Sequence, residues 1–223
     1  MTARASYREL SRLLAGSRRR PRIGLLGGSF NPAHNGHRAI SLRALDRLRL
    51  DAVWWLVSPQ NPLKSNAGMA PLADRLAYAR GLARHRKIRV TDIEHALGTR
   101  YSIDTVRRLR ARLPHARFVW LMGADNMAQV SRWHDWQGLF NAVPIAIFDR
   151  PSYAVRALFS LAASRFSVSR RPARVAERLV AFSPPAWVFV RAGSYRDSAT
   201  DIRASGAWPV PGGAKKFQKG NRR

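Results

Sequence analysis

Two histidines three residues apart, His34 and His37, close the run Gly27-Gly28-Ser29-Phe30-Asn31-Pro32-Ala33-His34-Asn35-Gly36-His37. Imidazole N–H groups aimed at a phosphoryl centre stabilise the charge that builds as a leaving group departs. Glycines let backbone amides approach a phosphate, and a helix opening near Asn35 would add free N–H groups and a partial positive charge. A spacing of three lets both rings face one ligand on such a helix. The structural alternative is a tight strand-to-helix connection that happens to carry two histidines. An eleven-residue run in a strand–turn–helix setting is more specific than that. A zinc site for the pair would lack any cysteine and the His-Glu-x-x-His pattern, so no metal ligand is assigned.

A second constellation, Ser198-Ala199-Thr200-Asp201-Ile202-Arg203, places hydroxyls at a helix start with an arginine about one turn later. Alone it reads as an ordinary capped surface helix. Beside the first motif it gains meaning, because a triphosphate must be held from two sides during transfer.

These residues need elements to hold them. Arg22–Ser29 reads as a buried strand entering the glycine turn, and Ile40, Leu42, Leu45 and Leu48 give the following segment, to about Arg49, helical spacing. Val53–Val57 is a second strand, followed by a Pro/Asn-rich loop to Ala70 and a helix opened by Pro71 and running to about Arg84. Lys87–Thr91, Arg117–Met122, Pro144–Phe148 and Ala186–Val190 read as further strands. Helices are expected from Ser102 to the stop at Pro114, within 151–182, and over Ser198–Ser205. Strands alternating with helices predict an α/β fold, a Rossmann-like doubly wound parallel sheet with helices on both faces. Such sheets place their chemistry in the loops after the strands. Trp54 and Trp55 are expected in the core, Trp136 as packing beside Trp133, His85 and His95 as exposed or structural, and His134 as a backbone contributor.

The 223 residues suit one domain, expected over 22–206, between a basic extension at 1–21 and a basic, disordered tail at 207–223. With no cysteine there are no disulfides or thiol nucleophiles. No apolar run reaches the roughly 18 residues of a membrane span, and no secretory h-region follows the N-terminus, so a cytoplasmic protein is expected. The formal charge is +27, from 40 basic and 13 acidic residues. Setting aside seven Arg and one Glu in 1–22, and five Lys and Arg in 214–223, leaves 28 and 12, a balance of +16. A basic surface attracts polyanions of any kind, weak nonspecific nucleic-acid binding included, and so chooses no activity.

The two motifs, taken in order, resemble the nucleotidyltransferase superfamily related to class I aminoacyl-tRNA synthetases. Further landmarks are Asn61-Pro62-Leu63-Lys64, Tyr101-Ser102-Ile103-Asp104-Thr105, Gly123-Ala124-Asp125 with Trp133, and Arg150-Pro151-Ser152-Tyr153. With them the set is most similar to bacterial nicotinate-nucleotide adenylyltransferases, over roughly 22–205. The resemblance implies transfer of the adenylyl group of ATP to nicotinate mononucleotide by direct in-line attack, giving deamido-NAD and pyrophosphate. It sets His34 and His37 at the ATP phosphates, with Gly27, Gly28, Ser29 and Phe30 against the nucleotide. Gly123 and Asp125 would lie by the nucleotides, and Ser198, Thr200 and Arg203 would bind the triphosphate. Lys64 would approach the acceptor phosphate, Trp133 would stack on the pyridine ring and Ser102 would meet its carboxylate. Mg²⁺ is expected to arrive with ATP, since no carboxylate cluster stands ready for it. The family's Ser-Ser-Thr is Ser198-Ala199-Thr200 here, and its Ser-Tyr-Thr is Arg100-Tyr101-Ser102. Two alternatives stay open. One is an adenylyltransferase for nicotinamide mononucleotide or phosphopantetheine, although the latter branch resembles a Thr-x-Gly-His form of the first motif. The other is a basic nucleic-acid-binding protein.

Overall fold

A computed structural model describes residues 12–14, 20–59, 69–150, 152–191, 199–205 and 208. Lys64, Ser198, most of the expected basic extension and nearly all of the expected tail lie outside the described residues.

Seven parallel strands form one sheet: β1 (Arg22–Gly28), β2 (Ala52–Val57), β3 (Ile88–Thr91), β4 (Arg117–Gly123), β5 (Ile145–Phe148), β6 (Arg170–Arg171) and β7 (Trp187–Val190). Their order is β3-β2-β1-β4-β5-β7-β6, so the direction of winding reverses between β1 and β4. That reversal opens a crevice at the carboxyl ends of the two strands, where ligands bind in sheets of this kind. β2 and β5 are buried along their whole length, as strands covered on both faces must be.

Helices α1 (Asn35–Arg47), α2 (Leu72–Ala83), α3 (Ile93–Leu97), α4 (Ser102–Arg112), α5 (Ala124–Met127) and α6 (Trp136–Ala142) connect the first five strands. After β5 come α7 (Ala154–Leu158) and α8 (Leu161–Arg165), and after β7 comes α9 (Ala199–Ala204). Two cores result, one on each face of the sheet. Leu25, Trp54 and Trp120 belong to one, while Leu26, Trp55 and Leu121 belong to the other. Trp54 and Trp55 are fully buried on opposite faces, as the two-residue period of a strand requires.

Three details depart from expectation. Residues 151–182 do not form long helices: they hold two five-residue helices, a short 3₁₀ turn, β6 and a 3₁₀ stretch over Ala173–Ala181. Trp136 packs on Phe140 and Phe166, with ring centroids at 6.1 and 5.9 Å, against the same core that Trp133 meets, so its named ring partners are these two phenylalanines. Trp208, inside the expected tail, is buried against Tyr78 at 4.7 Å and donates its indole N–H to Asn31 Oδ1.

Candidate active site

The first motif leaves β1 and enters α1 as predicted. Gly27 is a glycine for a packing reason: a Cβ there would lie 2.7 Å from Cη2 of the buried Trp120 ring. Phe30 takes a left-handed backbone at φ 45°, which for a bulky residue is strained and needs support. Its ring supplies that support, stacking on Trp55 at 5.2 Å and lying tilted against His37 at 4.6 Å.

His34 is the N-cap of α1 and His37 sits in its first turn, with ring centroids 3.9 Å apart. The His34 backbone N–H donates to His37 Nδ1 at 3.1 Å. An accepting Nδ1 is unprotonated, so the neutral ring carries its proton on Nε2 and can only donate there. Burial, with help from the nearby His34 and Arg150, holds the His37 pKa well below its usual value of 6.5. His37 is therefore a neutral N–H donor at physiological pH. The other edge of α1 is fixed by Ser41, which donates to the His37 carbonyl at 2.8 Å and accepts from Trp55 Nε1 at 2.7 Å.

The last motif meets the first. Arg203 on α9 donates to the Asn31 carbonyl at 2.5 Å and to Thr200 Oγ1 at 3.2 Å. Residues 172 positions apart thus bring a guanidinium and a hydroxyl to the turn that holds both histidines.

Gly123 ends β4 as the N-cap of α5, and a Cβ on it would collide with the Asp125 carboxylate. Asp125 pairs with Arg150, which follows β5, at 2.8 Å. Arg150 also acts electrostatically on His37, so this ion pair borders the histidine site. Beside Asp125 a cleft of about 700 Å³ opens, lined by Ala128, Gln129, Tyr153, Val155, Arg156 and Phe159. That is the size of an ordinary ligand pocket.

A second cluster stands at the start of α4. Ser102 is its first residue, half-buried, and Tyr101 before it stacks on His134 at 4.1 Å. His134 thus contributes its ring and not only backbone. Trp133 is half-buried and meets Trp120 edge-on at 6.4 Å, one side chain away from Gly27.

Three functional candidates were not assigned a role from sequence. Arg75 on α2 is 1 % exposed and donates to the carbonyls of Ala70, Ser29, Ser58 and Pro59 at 2.6–3.1 Å. It clamps the exits of β1 and β2 together, and burial lowers its pKa. The second is Arg150, whose place after the fifth strand is visible in sequence although its pairing with Asp125 is not. The third, Glu94, is treated below. Among the described residues no three His, Asp or Glu side chains gather as metal ligands would, and no helix is long and apolar enough to cross a membrane.

Residues 25–205 match the family model described as cytidylyltransferase-like. The chain is 53 % identical over 186 residues to a Cereibacter sphaeroides protein named "Probable nicotinate-nucleotide adenylyltransferase", covering 83 % of this chain and 98 % of that one. A Gluconacetobacter diazotrophicus protein of the same name is 50 % identical over 190 residues, 85 % of this chain and 88 % of its own. Among solved structures, the Plasmodium falciparum nicotinic acid mononucleotide adenylyltransferase complexed with NaAD superposes with a TM-score of 0.62 at 14 % identity, over 82 % of this chain and 83 % of that one. That likeness is one of fold.

Proposed function

The chain belongs to the nicotinate-nucleotide adenylyltransferase family, and from that premise we propose the work of its residues in moving an adenylyl group from ATP to nicotinate mononucleotide. An oxygen of the acceptor's 5′-phosphate attacks the α-phosphorus, the bond to the β-phosphoryl oxygen breaks, and pyrophosphate leaves. Deamido-NAD is the product, a step of NAD biosynthesis. No covalent intermediate is required, so alignment and charge stabilisation carry the catalysis.

The observation that carries this reading is the convergence of both motifs on one turn, with Arg203 on the Asn31 carbonyl beside His34 and His37. His37 donates from Nε2 to the developing negative charge without needing to be protonated. His34 stands against the same phosphates, with the Gly27–Phe30 turn along the nucleotide. Thr200 and Arg203 face the β- and γ-phosphates, and Ser198 would join them. Asp125, beside Gly123, accepts from a ribose hydroxyl, for which its bond to Arg150 orients it. Mg²⁺ arrives with ATP, as part of the substrate, and the reaction belongs to the cytoplasm.

On the acceptor side, Trp133 stacks on the pyridine ring, Lys64 approaches the acceptor phosphate and Ser102 with the free amides of α4 reads the carboxylate. A helix N-terminus favours an anion by about 0.3–1 kcal/mol, and about 2 when partly buried. Nicotinate is therefore preferred over nicotinamide. The test incubates the protein with ATP, Mg²⁺ and either mononucleotide and follows pyrophosphate and dinucleotide. Ser102→Ala should narrow the preference, while Trp133→Ala should weaken both acceptors together. Absence of dinucleotide from both acceptors defeats the assignment; a selectivity change in the Trp133 variant alone defeats the pocket.

A further inference from the structure

Glu94 is a carboxylate in a place that burial makes costly. It lies on α3, 5 % exposed, and among the described residues no salt bridge reaches it. Its contacts are hydroxyls: Thr105 Oγ1 at 3.4 Å, on α4, and Ser58, just past β2. Thr105 is a junction. Its Oγ1 lies 2.8 Å from Thr99 Oγ1 and 3.2 Å from the Tyr101 carbonyl. Tyr101 in turn carries the stack on His134 and precedes Ser102. On its other side, the Ser58 N–H donates to the Gly28 carbonyl and the Ser58 carbonyl accepts from Arg75.

We propose that Glu94 is a positioning residue, whose carboxyl, through Thr105 and the Tyr101 carbonyl, sets the start of α4 for an anionic acceptor. The inference rests on the acceptor pocket described under Proposed function. Its physical content is a count of protons. The Thr105 hydroxyl has one proton to give and three oxygens within reach, Thr99 Oγ1, the Tyr101 carbonyl and Glu94 Oε1; where Thr99 donates to Thr105, the last two compete for that proton. A neutral Glu94 supplies its own proton to the hydroxyls around it, leaving Thr105 free to donate to Tyr101. An ionised Glu94 accepts a hydrogen bond from the Thr105 hydroxyl, loosens Tyr101 and puts a negative charge near the helix start that meets the acceptor's carboxylate. Hydrogen bonds in such a dry network reinforce or oppose one another, so the change is transmitted.

Burial pushes the Glu94 carboxyl up to about 7, against the smaller opposing effect of the Thr105 and Ser58 hydroxyls. Among the described residues, the elements around it carry charged groups of their own. Asp92 is half-buried and His95 exposed at the ends of α3's first turn. Arg75 on α2 is spent on four carbonyls. On α4, Arg108 donates to the Leu97 carbonyl and Asp104 lies toward Arg107.

The experiment measures kcat and KM for MgATP, nicotinate mononucleotide and nicotinamide mononucleotide from pH 6 to 8.5, in wild type, Glu94→Gln and Thr105→Val. Where the nicotinamide nucleotide turns over too slowly, its inhibition constant replaces KM. Both mononucleotides carry the same phosphate, so their ratio cancels its titration. In wild type, KM for the nicotinate nucleotide relative to the nicotinamide nucleotide should rise about threefold or more through pH 7, as a like charge appears nearby. In Glu94→Gln the ratio should stay flat, with kcat and KM for MgATP unchanged. Parallel profiles in wild type and Glu94→Gln overturn the inference, as does an effect confined to MgATP. Should Glu94→Gln fail to fold, Thr105→Val decides: a rise smaller than that of wild type supports the relay through Thr105, and a rise equal to it overturns the relay. A wild type that makes no dinucleotide strikes the proposed function itself, a result distinct from parallel profiles in an active enzyme.

Discussion

Replacing Glu94 by Gln should remove a loss of stability that the wild type suffers as pH rises through neutrality. In the fold the Glu94 carboxyl holds its proton up to about pH 7, against an ordinary value of 4.5 for an unburied glutamate. Between those values the native state binds more protons than the unfolded chain, so stability falls as pH rises through the window and stays lower above it. Integrated from pH 5 to pH 8, the loss is about 2–3 kcal/mol, since most of the difference between 4.5 and about 7 is traversed. Glutamine keeps the shape and cannot ionise, so this loss should vanish in Glu94→Gln. The assay is urea unfolding of both proteins at pH 5 and pH 8, taking the difference of differences so that other titrating groups cancel. With a slope of about 2 kcal/mol per molar urea, the relative midpoint should move by about 1 M in favour of Gln at the higher pH. Equal pH dependence in the two proteins would refute the reasoning, and with it the claim that burial governs Glu94.

Three further outcomes follow from particular contacts. His37→Ala should lower turnover about 10²-fold with the thermal transition intact. His37→Gln, whose amide N–H stands near the Nε2 position, should retain more than His37→Asn; equal loss in both would sink the Nε2 donor. Gly27→Ala should cost about 1–3 kcal/mol of stability through the Trp120 ring, whereas Gly28→Ala, with its nearest contact at 3.5 Å, should be mild. Urea midpoints check this, and an unchanged Gly27→Ala midpoint would show that the ring yields. Arg75→Met should cost at least about 3 kcal/mol by stranding buried carbonyls, and Arg75→Lys should restore little, because a single ammonium cannot span what the guanidinium fork spans. A Lys variant as stable as wild type would remove the need for the fork.

What could be read from the residues in order was whatever local spacing encodes. The strand into Gly27, the helix through Leu48 and the apolar runs at 53–57 and 145–148 stand where hydrophobic periodicity puts them. β6 escaped because Arg170-Arg171 carries no apolar signal; it pairs only because the edge of β7 is there to receive it. Arg75 reads as one more surface arginine of a basic helix, and only the meeting of two distant strand exits makes it a buried clamp. Gly27 was legible as a required glycine, but the reason differs: Trp120, 93 positions later, fills the space a Cβ would take. Glu94 likewise gives no local sign of burial, since its hydroxyl partners come from β2's exit and from α4. Each miss is a property of two segments that the fold brings together, which the periodicity of either one does not contain.

Asn31 receives Arg203 on its carbonyl and Trp208 on its side chain, 172 and 177 residues downstream. On a ribosome adding about 5–20 residues per second, those partners follow Asn31 by roughly 9 to 35 s. The histidine turn is thus completed only by residues made long after it. A chain released before Arg203 would carry both histidines yet lack the grip that closes around them, so competence is withheld until that residue has been added.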